Sequence, residues 1–278
     1  MNKPFEIATV IPTYNRKHTL QRAIDSVYDQ KYSSNEIIVV DDGSTDGTNE
    51  WIKKKYPKII LLSQSNSGVS AARNLGIKAA KSEWVALLDS DDEWLLEKLQ
   101  KQVKFIQSNS DNLCCHTNEI WIRNGIKINQ MKKHQKYGGN IFYKCLDMCR
   151  ISPSSVLFHK SILDQTGDFD ESFKVCEDYD LWLRISAKYS ILYLDIPLIK
   201  KYGGHEDQLS KVSNGIEKYR IDVLEKLIKD NFSDEHLTGI RSMLKKKWAI
   251  YSKGAKKRGK MNQYNFALKR IDELSSEA

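Results

Sequence analysis

Carboxylates are clustered at two places in the first hundred residues, and each cluster directly follows an apolar run. Asp42 lies in the segment Asp-Asp-Gly-Ser-Thr-Asp-Gly-Thr, and Asp89, Asp91 and Asp92 fall within four residues. Carboxylate oxygens are preferred ligands of Mg²⁺ and Mn²⁺, and a cation on an Asp-x-Asp pair keeps positions open for phosphate oxygens. The pattern therefore indicates a divalent-cation site. The structural alternatives are a helix-capping turn at Asp42 and an acidic helix start in the second cluster.

A third acidic group, Glu177 and Asp178, precedes the apolar Leu-Trp-Leu run at 181–183. This position is typical of an acidic helix start, where carboxylates interact favourably with the helix dipole. Asp180, two residues further on, is expected to help cap that helix.

The elements that would position these groups alternate along the chain. Four short apolar runs, typical of buried strands, alternate with three stretches whose apolar residues recur at helical spacing. The predicted strands are Ile7–Ile11, Ile37–Val40, Ile59–Leu62 and Val85–Leu88, and the predicted helices are His18–Gln30, Thr48–Tyr56 and Ser70–Ala80. This order predicts a parallel sheet that binds ligands beyond the carboxyl ends of its strands. Both aspartate clusters follow such strand ends.

The rest of the chain is less regular. Further strands are predicted at Cys114–Arg123, Ser154–His159 and Ile191–Leu194, the last of them ended by Pro197. Further helices are predicted at Trp94–Phe105, Asp178–Lys188, Ile216–Lys229 and His236–Ser252, followed by a basic stretch.

The net charge of +8 is unevenly distributed over the 278 residues. Residues 211–278 contain 16 Lys/Arg and 9 Asp/Glu, a balance of +7, which leaves +1 for residues 1–210. A nearly neutral body disfavours nucleic acid as a partner. No apolar run approaches the ~20 residues of a membrane-spanning helix, and the N-terminus has no apolar signal region. We therefore expect a cytoplasmic protein.

The turn after the first strand excludes two common phosphate sites. A dinucleotide fold requires Gly-x-Gly-x-x-Gly at this place, and the chain has Pro-Thr-Tyr-Asn-Arg at 12–16. A Gly-x-x-x-x-Gly-Lys-Ser/Thr loop occurs nowhere in the sequence. A cation on carboxylates is the natural substitute for a glycine-rich diphosphate cradle.

Four sequence blocks in register resemble the nucleotide-binding half of family 2 glycosyltransferases, which have the GT-A fold. The blocks are Thr9–Arg16, Val39–Thr48, Ser67–Gly76 and Leu87–Trp94. The resemblance spans residues 5–95, continues more weakly through Cys176–Asp180 to His205, and ends before about residue 215. It implies an α/β GT-A fold, with a Rossmann-like, mostly parallel sheet flanked by helices. The implied domain covers 1–210, with a nucleotide-binding half (1–110) and an acceptor half (111–210), and a basic helical extension follows at 211–278.

The resemblance also implies a role for individual residues. Asp178 would be the general base, with Glu177 and Trp94 contacting substrate, and Asp91 and His205 would hold the metal. The nucleotide would be bound by Pro12, Tyr14, Asp42, Arg73, Asp89 and Ser90. A tyrosine ring offers a stacking face, and carboxylates accept hydrogen bonds from ring N–H groups and ribose hydroxyls.

The implied activity is a metal-dependent, inverting transfer of a sugar from a nucleoside-diphosphate donor, UDP-linked by expectation, to a hydroxyl acceptor. Mn²⁺ or Mg²⁺ would be the cofactor, and bacterial surface polysaccharide or glycoconjugate synthesis would be the setting. One alternative is a sugar-phosphate nucleotidyltransferase, which would need a Gly-rich loop and a lysine after the first strand. The other is a non-catalytic nucleotide-sugar binder, which would have no use for the acidic pair at 177–178.

The segment Arg241–Lys260 contains nine Lys/Arg and no Asp or Glu. Apolar residues are interleaved with the basic ones, namely Leu244, Trp248, Ile250 and Tyr251. Such a helix fits an anionic membrane surface, here the inner face of the plasma membrane, where family members use lipid-linked saccharide acceptors. The alternative is a solvated charged helix whose Trp248 and Ile250 pack against the domain.

Overall fold

The computed structural model describes residues 5–204 and 215–276, in which nine strands and ten α-helices are found. The strands are β1 (Ile7–Thr13), β2 (Glu36–Asp41), β3 (Ile60–Ser63), β4 (Trp84–Leu87), β5 (Glu93–Trp94), β6 (Cys114–Arg123), β7 (Ile126–Ile128), β8 (Leu157–His159) and β9 (Leu192–Gly203). The helices are α1 (Lys17–Tyr28), α2 (Thr48–Lys55), α3 (Val69–Ala79), α4 (Lys98–Gln107), α5 (Phe142–Cys145), α6 (Ser161–Thr166), α7 (Glu177–Ser186), α8 (Ile216–Leu227), α9 (Asp234–Lys257) and α10 (Met261–Ser276).

All of these strands belong to one mixed sheet with the order β3-β2-β1-β4-β8-β6-β9-β5, and β7 pairs with β6. The first four strands in this order are parallel, as predicted. β8 then runs antiparallel to β4 and to β6, while β9 is parallel to β6. The carboxyl ends of β1, β2 and β4 therefore lie side by side at one edge of the sheet.

The sheet is covered on both faces because its side chains alternate between two cores. In β1, Ala8 and Val10 belong to one apolar cluster, and Ile7 and Ile11 belong to the other. The second cluster contains residues of α1, α2 and α4, and the first contains residues of α3 and α7.

The C-terminal helices complete the first core rather than extending away from it. Their apolar side chains pack in the same cluster as Val10 of β1. The buried members from these helices include Ile221, Leu224, Leu244, Trp248 and Leu274. Trp248 thus packs as the structural alternative predicted, whereas Ile250 is 57% exposed. No helix within the described ranges has the length and apolar character needed to cross a membrane.

Three sequence-based assignments need correction. β9 does not end at Pro197, because this proline is exposed and lies opposite Asn118, where the register of β6 and β9 shifts. An exposed position at such an irregularity tolerates a residue without an N–H donor. Trp94 lies in the short strand β5 instead of starting a helix, and α4 begins at Lys98. The basic stretch beyond Ser252 continues α9 and is followed by α10, which was not predicted.

Candidate active site

The loops after β1 and β2 are held together by hydrogen bonds. The N–H of Asn15 donates to Ser44 Oγ (2.9 Å), and the N–H of Thr45 donates to Asn15 Oδ1 (2.8 Å). Asn15 adopts a left-handed conformation (φ 50°), which asparagine tolerates better than most residues. Pro12 is buried at the end of β1, whereas Tyr14 is 47% exposed. The ring of Tyr14 is therefore available to a ligand.

Asp42 is almost completely buried and fixes the turn after β2. Its carboxylate accepts hydrogen bonds from Gln64 Nε2 (2.7 Å), the Ser67 N–H (2.8 Å) and the Gly68 N–H (2.9 Å). A carboxylate offers about four acceptor positions, so one remains for a ligand. The nucleotide-binding role of Asp42 stays a prediction that this geometry permits.

Arg73, in the first half of α3, connects two of the acidic clusters. Its guanidinium donates to Asp89 Oδ1 (2.7 Å) and to Glu177 Oε1 (2.8 Å), and only 3% of the residue is exposed. Burial alone would lower the pKa of Arg73, but the two carboxylates raise it, so the guanidinium stays charged. The ion pairs bring the loop after β4 and the start of α7 to one place, although 104 residues separate Arg73 from Glu177.

The loop after β4 holds its carboxylates in two different ways. Asp92 is buried and accepts hydrogen bonds from Ser154 Oγ (2.6 Å) and the Tyr202 N–H (3.0 Å), so it has a structural role. Ser90 is also buried, whereas Asp89 and Asp91 are partly exposed. Burial and the charge of Asp89 raise the pKa of Asp91. The loop thus offers two neighbouring carboxylates that repel each other.

The acidic pair at the start of α7 is divided between two environments. Glu177 is buried on Arg73, and burial raises the pKa of Glu177 to about 6 against the lowering effect of the arginine, with the charge of Asp178 adding to the rise. Asp178 is partly exposed and accepts hydrogen bonds from Cys149 Sγ (3.4 Å) and the Tyr179 N–H (2.7 Å). Cys176 precedes the pair in a left-handed conformation (φ 69°). Asp178 is therefore the member of the pair with an accessible carboxylate.

A buried cation interacts electrostatically with Asp178, and no sequence motif predicted it. Lys201 of β9 donates to Ser152 Oγ (3.2 Å). Burial would lower the pKa of Lys201, but nearby carboxylates raise it, so the ammonium stays charged. In order of decreasing influence, these carboxylates are Glu119, Asp92, Asp89 and Asp178. The only signal was the Lys200–Lys201 pair just before Gly203, in a segment interpreted as lying beyond a strand that ended at Pro197.

Two residues do not have the surroundings expected of them. Trp94 is 2% exposed and its indole N–H donates to the Ser154 carbonyl (2.8 Å), so its ring packs in the core and its predicted contact with a substrate gains no support. Asp180 does not cap α7; it is fully buried and pairs with Arg184 (2.5 Å) and with Lys226 of α8 (3.3 Å). His205, predicted to bind metal, lies outside the described residues.

The carboxylates of the loop after β4 fit a divalent cation. Across 5–204 and 215–276, no three His, Cys, Asp or Glu side chains are placed to hold a metal together. Asp89 and Asp91 still form a suitable pair, because a cation would offset both the burial and the repulsion that raise the pKa of Asp91. Two protein ligands leave coordination positions for phosphate oxygens.

The fold and this site together define a glycosyltransferase of the GT-A type. Residues 9–167 match the family described as Glycosyl transferase family 2, and the chain belongs to this family. The family assignment gives no support to the nucleotidyltransferase and binding-protein alternatives.

One curated relative is the Escherichia coli protein WfaP, named UDP-Glc:alpha-D-GlcNAc-diphosphoundecaprenol beta-1,3-glucosyltransferase. It is 33% identical over 189 residues, which cover 66% of this chain and 70% of WfaP. The chain spans only 28–33% of the length of three Rickettsia glycosyltransferases to which it is 33–35% identical.

Two solved structures share the fold. The complex of S. aureus TarS with UDP-GlcNAc superimposes with a TM-score of 0.75 at 20% identity, over 97% of this chain and 81% of that one. The Pyrobaculum calidifontis mannosyltransferase PcManGT, in complex with GDP-Man and Mn²⁺, gives a TM-score of 0.61 at 15% identity, over 99% of this chain and 88% of that one. At these identities the likeness extends to the fold alone, and it confirms the predicted GT-A architecture.

Proposed function

We propose that this enzyme transfers a sugar from a UDP-linked donor to a hydroxyl group of a saccharide carried on a lipid diphosphate, in the synthesis of a surface polysaccharide or glycoconjugate. The observation that carries the proposal is the Arg73 bridge, because it places the acidic pair beside the donor-side aspartates. The activity for which WfaP is named supports a UDP-sugar and a lipid-linked acceptor. The ligand of TarS supports a UDP-sugar as well.

The proposed step is a direct displacement at the anomeric carbon. The acceptor oxygen forms a bond to that carbon, the bond from the carbon to the diphosphate oxygen breaks, and its electron pair leaves with UDP. Asp178 takes the acceptor proton, because it is the accessible carboxylate of the pair. Attack opposite the leaving group requires one base and inverts the configuration at the anomeric carbon.

On the donor side, Pro12 and Tyr14 would border the base, and Asp42 would accept a ring N–H. Asp91 would hold Mn²⁺ or Mg²⁺, with His205 as a proposed further ligand, and Asp89 and Ser90 would contact the ribose or sugar of the donor. The cation, when bound, stabilises negative charge on the departing diphosphate. Arg73 keeps Asp89 and Glu177 in place through its two ion pairs.

The residues proposed for this chemistry all lie before residue 210, in the proposed glycosyltransferase domain. The helices of the 211–278 segment contribute buried residues to its core. A lipid-linked acceptor would place the enzyme at the cytoplasmic face of the plasma membrane. Leu244 and Trp248 are buried, so the basic side chains and the exposed Ile250 would have to provide any contact of 241–260 with anionic lipid.

The test is release of nucleoside diphosphate from a panel of nucleotide sugars, with and without Mn²⁺. We expect UDP release that Mn²⁺ stimulates and that Asp91→Ala abolishes. The matched control is Asp111→Ala, which removes an exposed carboxylate from the segment before β6. Undiminished Mn²⁺-stimulated turnover in a folded Asp91→Ala protein would reject the metal assignment, and a retained anomeric configuration in the product would reject the displacement.

A further inference from the structure

The three C-terminal helices enclose a groove with a volume of about 500 Å³, which we call the C-terminal groove. None of the residues that line it belongs to the proposed active site. Its cationic and aromatic lining residues are Lys218, Lys229, Arg241, Arg270, Trp248 and Phe266. Two acidic residues, Asp222 and Glu225, also line it.

The acidic side chains of the groove are already engaged. Lys218 forms an ion pair with Asp222. Glu225 accepts hydrogen bonds from Arg270 Nη2 (2.7 Å) and from Trp248 Nε1 (2.8 Å). These contacts neutralise Lys218 and Arg270 and fix the indole ring of Trp248 in the wall.

Arg241 and Lys229 are different. Within residues 5–204 and 215–276, neither side chain has an acidic partner, and Arg241 Nε is buried with no hydrogen-bond acceptor. A buried donor left without an acceptor is destabilising, particularly on a charged group. The groove therefore contains two cations without an acidic partner, the exposed Lys229 and the partly buried Arg241, together with two aromatic rings.

We propose that the C-terminal groove is a second ligand site, which binds a phosphoryl group of a phosphate or diphosphate compound through Arg241 and Lys229. A guanidinium and an ammonium in one groove suit phosphate oxygens, and Arg241 Nε would then have its acceptor. The rings of Trp248 and Phe266 offer an apolar surface to the remainder of the ligand. The phosphoryl group belongs either to a lipid headgroup or to a small free molecule.

The first experiment is titration calorimetry of the full chain with inorganic diphosphate in metal-free buffer, because the proposed donor site holds a diphosphate through its cation. We expect Arg241→Met to weaken diphosphate binding by at least tenfold and Lys229→Met to weaken it by less. Lys253→Met, which removes an exposed lysine of α9, is the matched control and should leave binding unchanged. Equal affinity in wild type and Arg241→Met would overturn the proposal.

A stability measurement separates a ligand-binding arginine from a structural one. Without ligand, Arg241→Met should fold with a melting temperature equal to or above that of the wild type, because the substitution removes an unpartnered buried donor. A clear loss of stability in Arg241→Met would mean that the side chain supports the fold, and would overturn the proposal. UDP release from the donor should be unchanged in this variant, so failure of the groove and failure of the proposed activity are distinguishable.

Vesicles distinguish the two sources of the phosphoryl group. If the ligand is a lipid headgroup, phosphatidylglycerol vesicles should bind the wild type, bind Arg241→Met at least tenfold more weakly, and be displaced by inorganic diphosphate. If it is a free molecule, diphosphate should bind while the vesicles neither retain the protein nor compete. Vesicle binding that is the same in wild type and Arg241→Met would show that other basic side chains cause it, and would exclude the lipid source.

Discussion

The donor side and the acceptor side of the proposed active site are built in different ways. On the donor side, the functional side chains follow the ends of β1, β2 and β4, so neighbours in sequence are neighbours in space. On the acceptor side, α7 contributes the acidic pair and β9 contributes Lys201, which reaches its place because β9 pairs with β6, a strand far away in the sequence. Local sequence motifs therefore determine the positions of the donor-side residues, whereas pairing between distant strands determines the position of Lys201.

Arg73 is the point where the two regions join. It lies on α3, packed on the donor-side strands, and its guanidinium holds the first residue of α7. We therefore expect substitutions on the acceptor side to affect turnover, and substitution of Arg73, at the junction of the two regions, to affect stability as well.

The largest effect is expected from Asp178→Asn, which keeps the shape of the side chain and removes its proton acceptor. We expect kcat to fall by on the order of 10²–10⁴, with donor affinity little changed. Steady-state kinetics and UDP binding measure the two quantities separately. Asp164→Asn, an exposed change on α6, is the control. A loss confined to donor affinity would mean that Asp178 binds the donor and is not the general base.

The difference in construction also explains what the sequence could predict. Apolar runs and their spacing located β1, β2, β4, α1 and α3. The alternation of these strands and helices predicted a parallel sheet, whose loops lie at one edge. Lys201 was missed because its position depends on pairing with a strand about 80 residues earlier, and no local pattern encodes that pairing. Trp94 was misplaced because the two-residue strand β5 exists only through its pairing with β9.

The second largest effect is expected at Arg73, where the two regions join. Arg73→Met leaves Asp89 and Glu177 without their cation, and Glu177 is 5% exposed. Breaking a buried ion pair by removing one partner costs roughly 3–5 kcal/mol, so we expect a loss of this size in the free energy of unfolding. Denaturant titration measures it, with Lys78→Met on the exposed face of α3 as the control. A variant as stable as the control would mean that the two regions are joined by other contacts.

Leu244→Ala and Ile250→Ala together test whether the C-terminal helices belong to the protein core or only cover its surface. Leu244 is completely buried, while Ile250 on the same helix is 57% exposed. Leu244→Ala should lower the free energy of unfolding by roughly 2–5 kcal/mol, and Ile250→Ala should change it by less than about 0.5 kcal/mol. For the same reason, removal of residues 241–278 should yield an unstable protein. Equal effects of the two alanine substitutions would contradict the packing described above.

The smallest effect is expected on the donor side, at a lysine that contacts Trp94. Lys98 is fully buried at the start of α4, with its ammonium 4.0 Å from the centre of the Trp94 ring and 3.4 Å from the Val156 carbonyl oxygen. Burial lowers the pKa of Lys98 from 10.5 to about 7. Between these two values the unfolded chain binds more protons than the folded one, so stability rises as the pH increases from 7 to 10.5.

Lys98→Met removes the charge and keeps an unbranched apolar side chain of similar length. We expect the variant to be more stable than the wild type at pH 7, by roughly 1–4 kcal/mol, and its stability to depend less on pH between 7 and 10.5. Thermal unfolding over this pH range measures both, and Lys104→Met, an exposed change on the same helix, should alter neither. A contradictory result would be a Lys98→Met protein that is less stable than the wild type at pH 7 and whose stability changes with pH as steeply. The amine would then stabilise the loop after β4 through its contacts with Trp94 and Val156. Long-range contacts would then control the position of the donor-side carboxylates as they do those of the acceptor side.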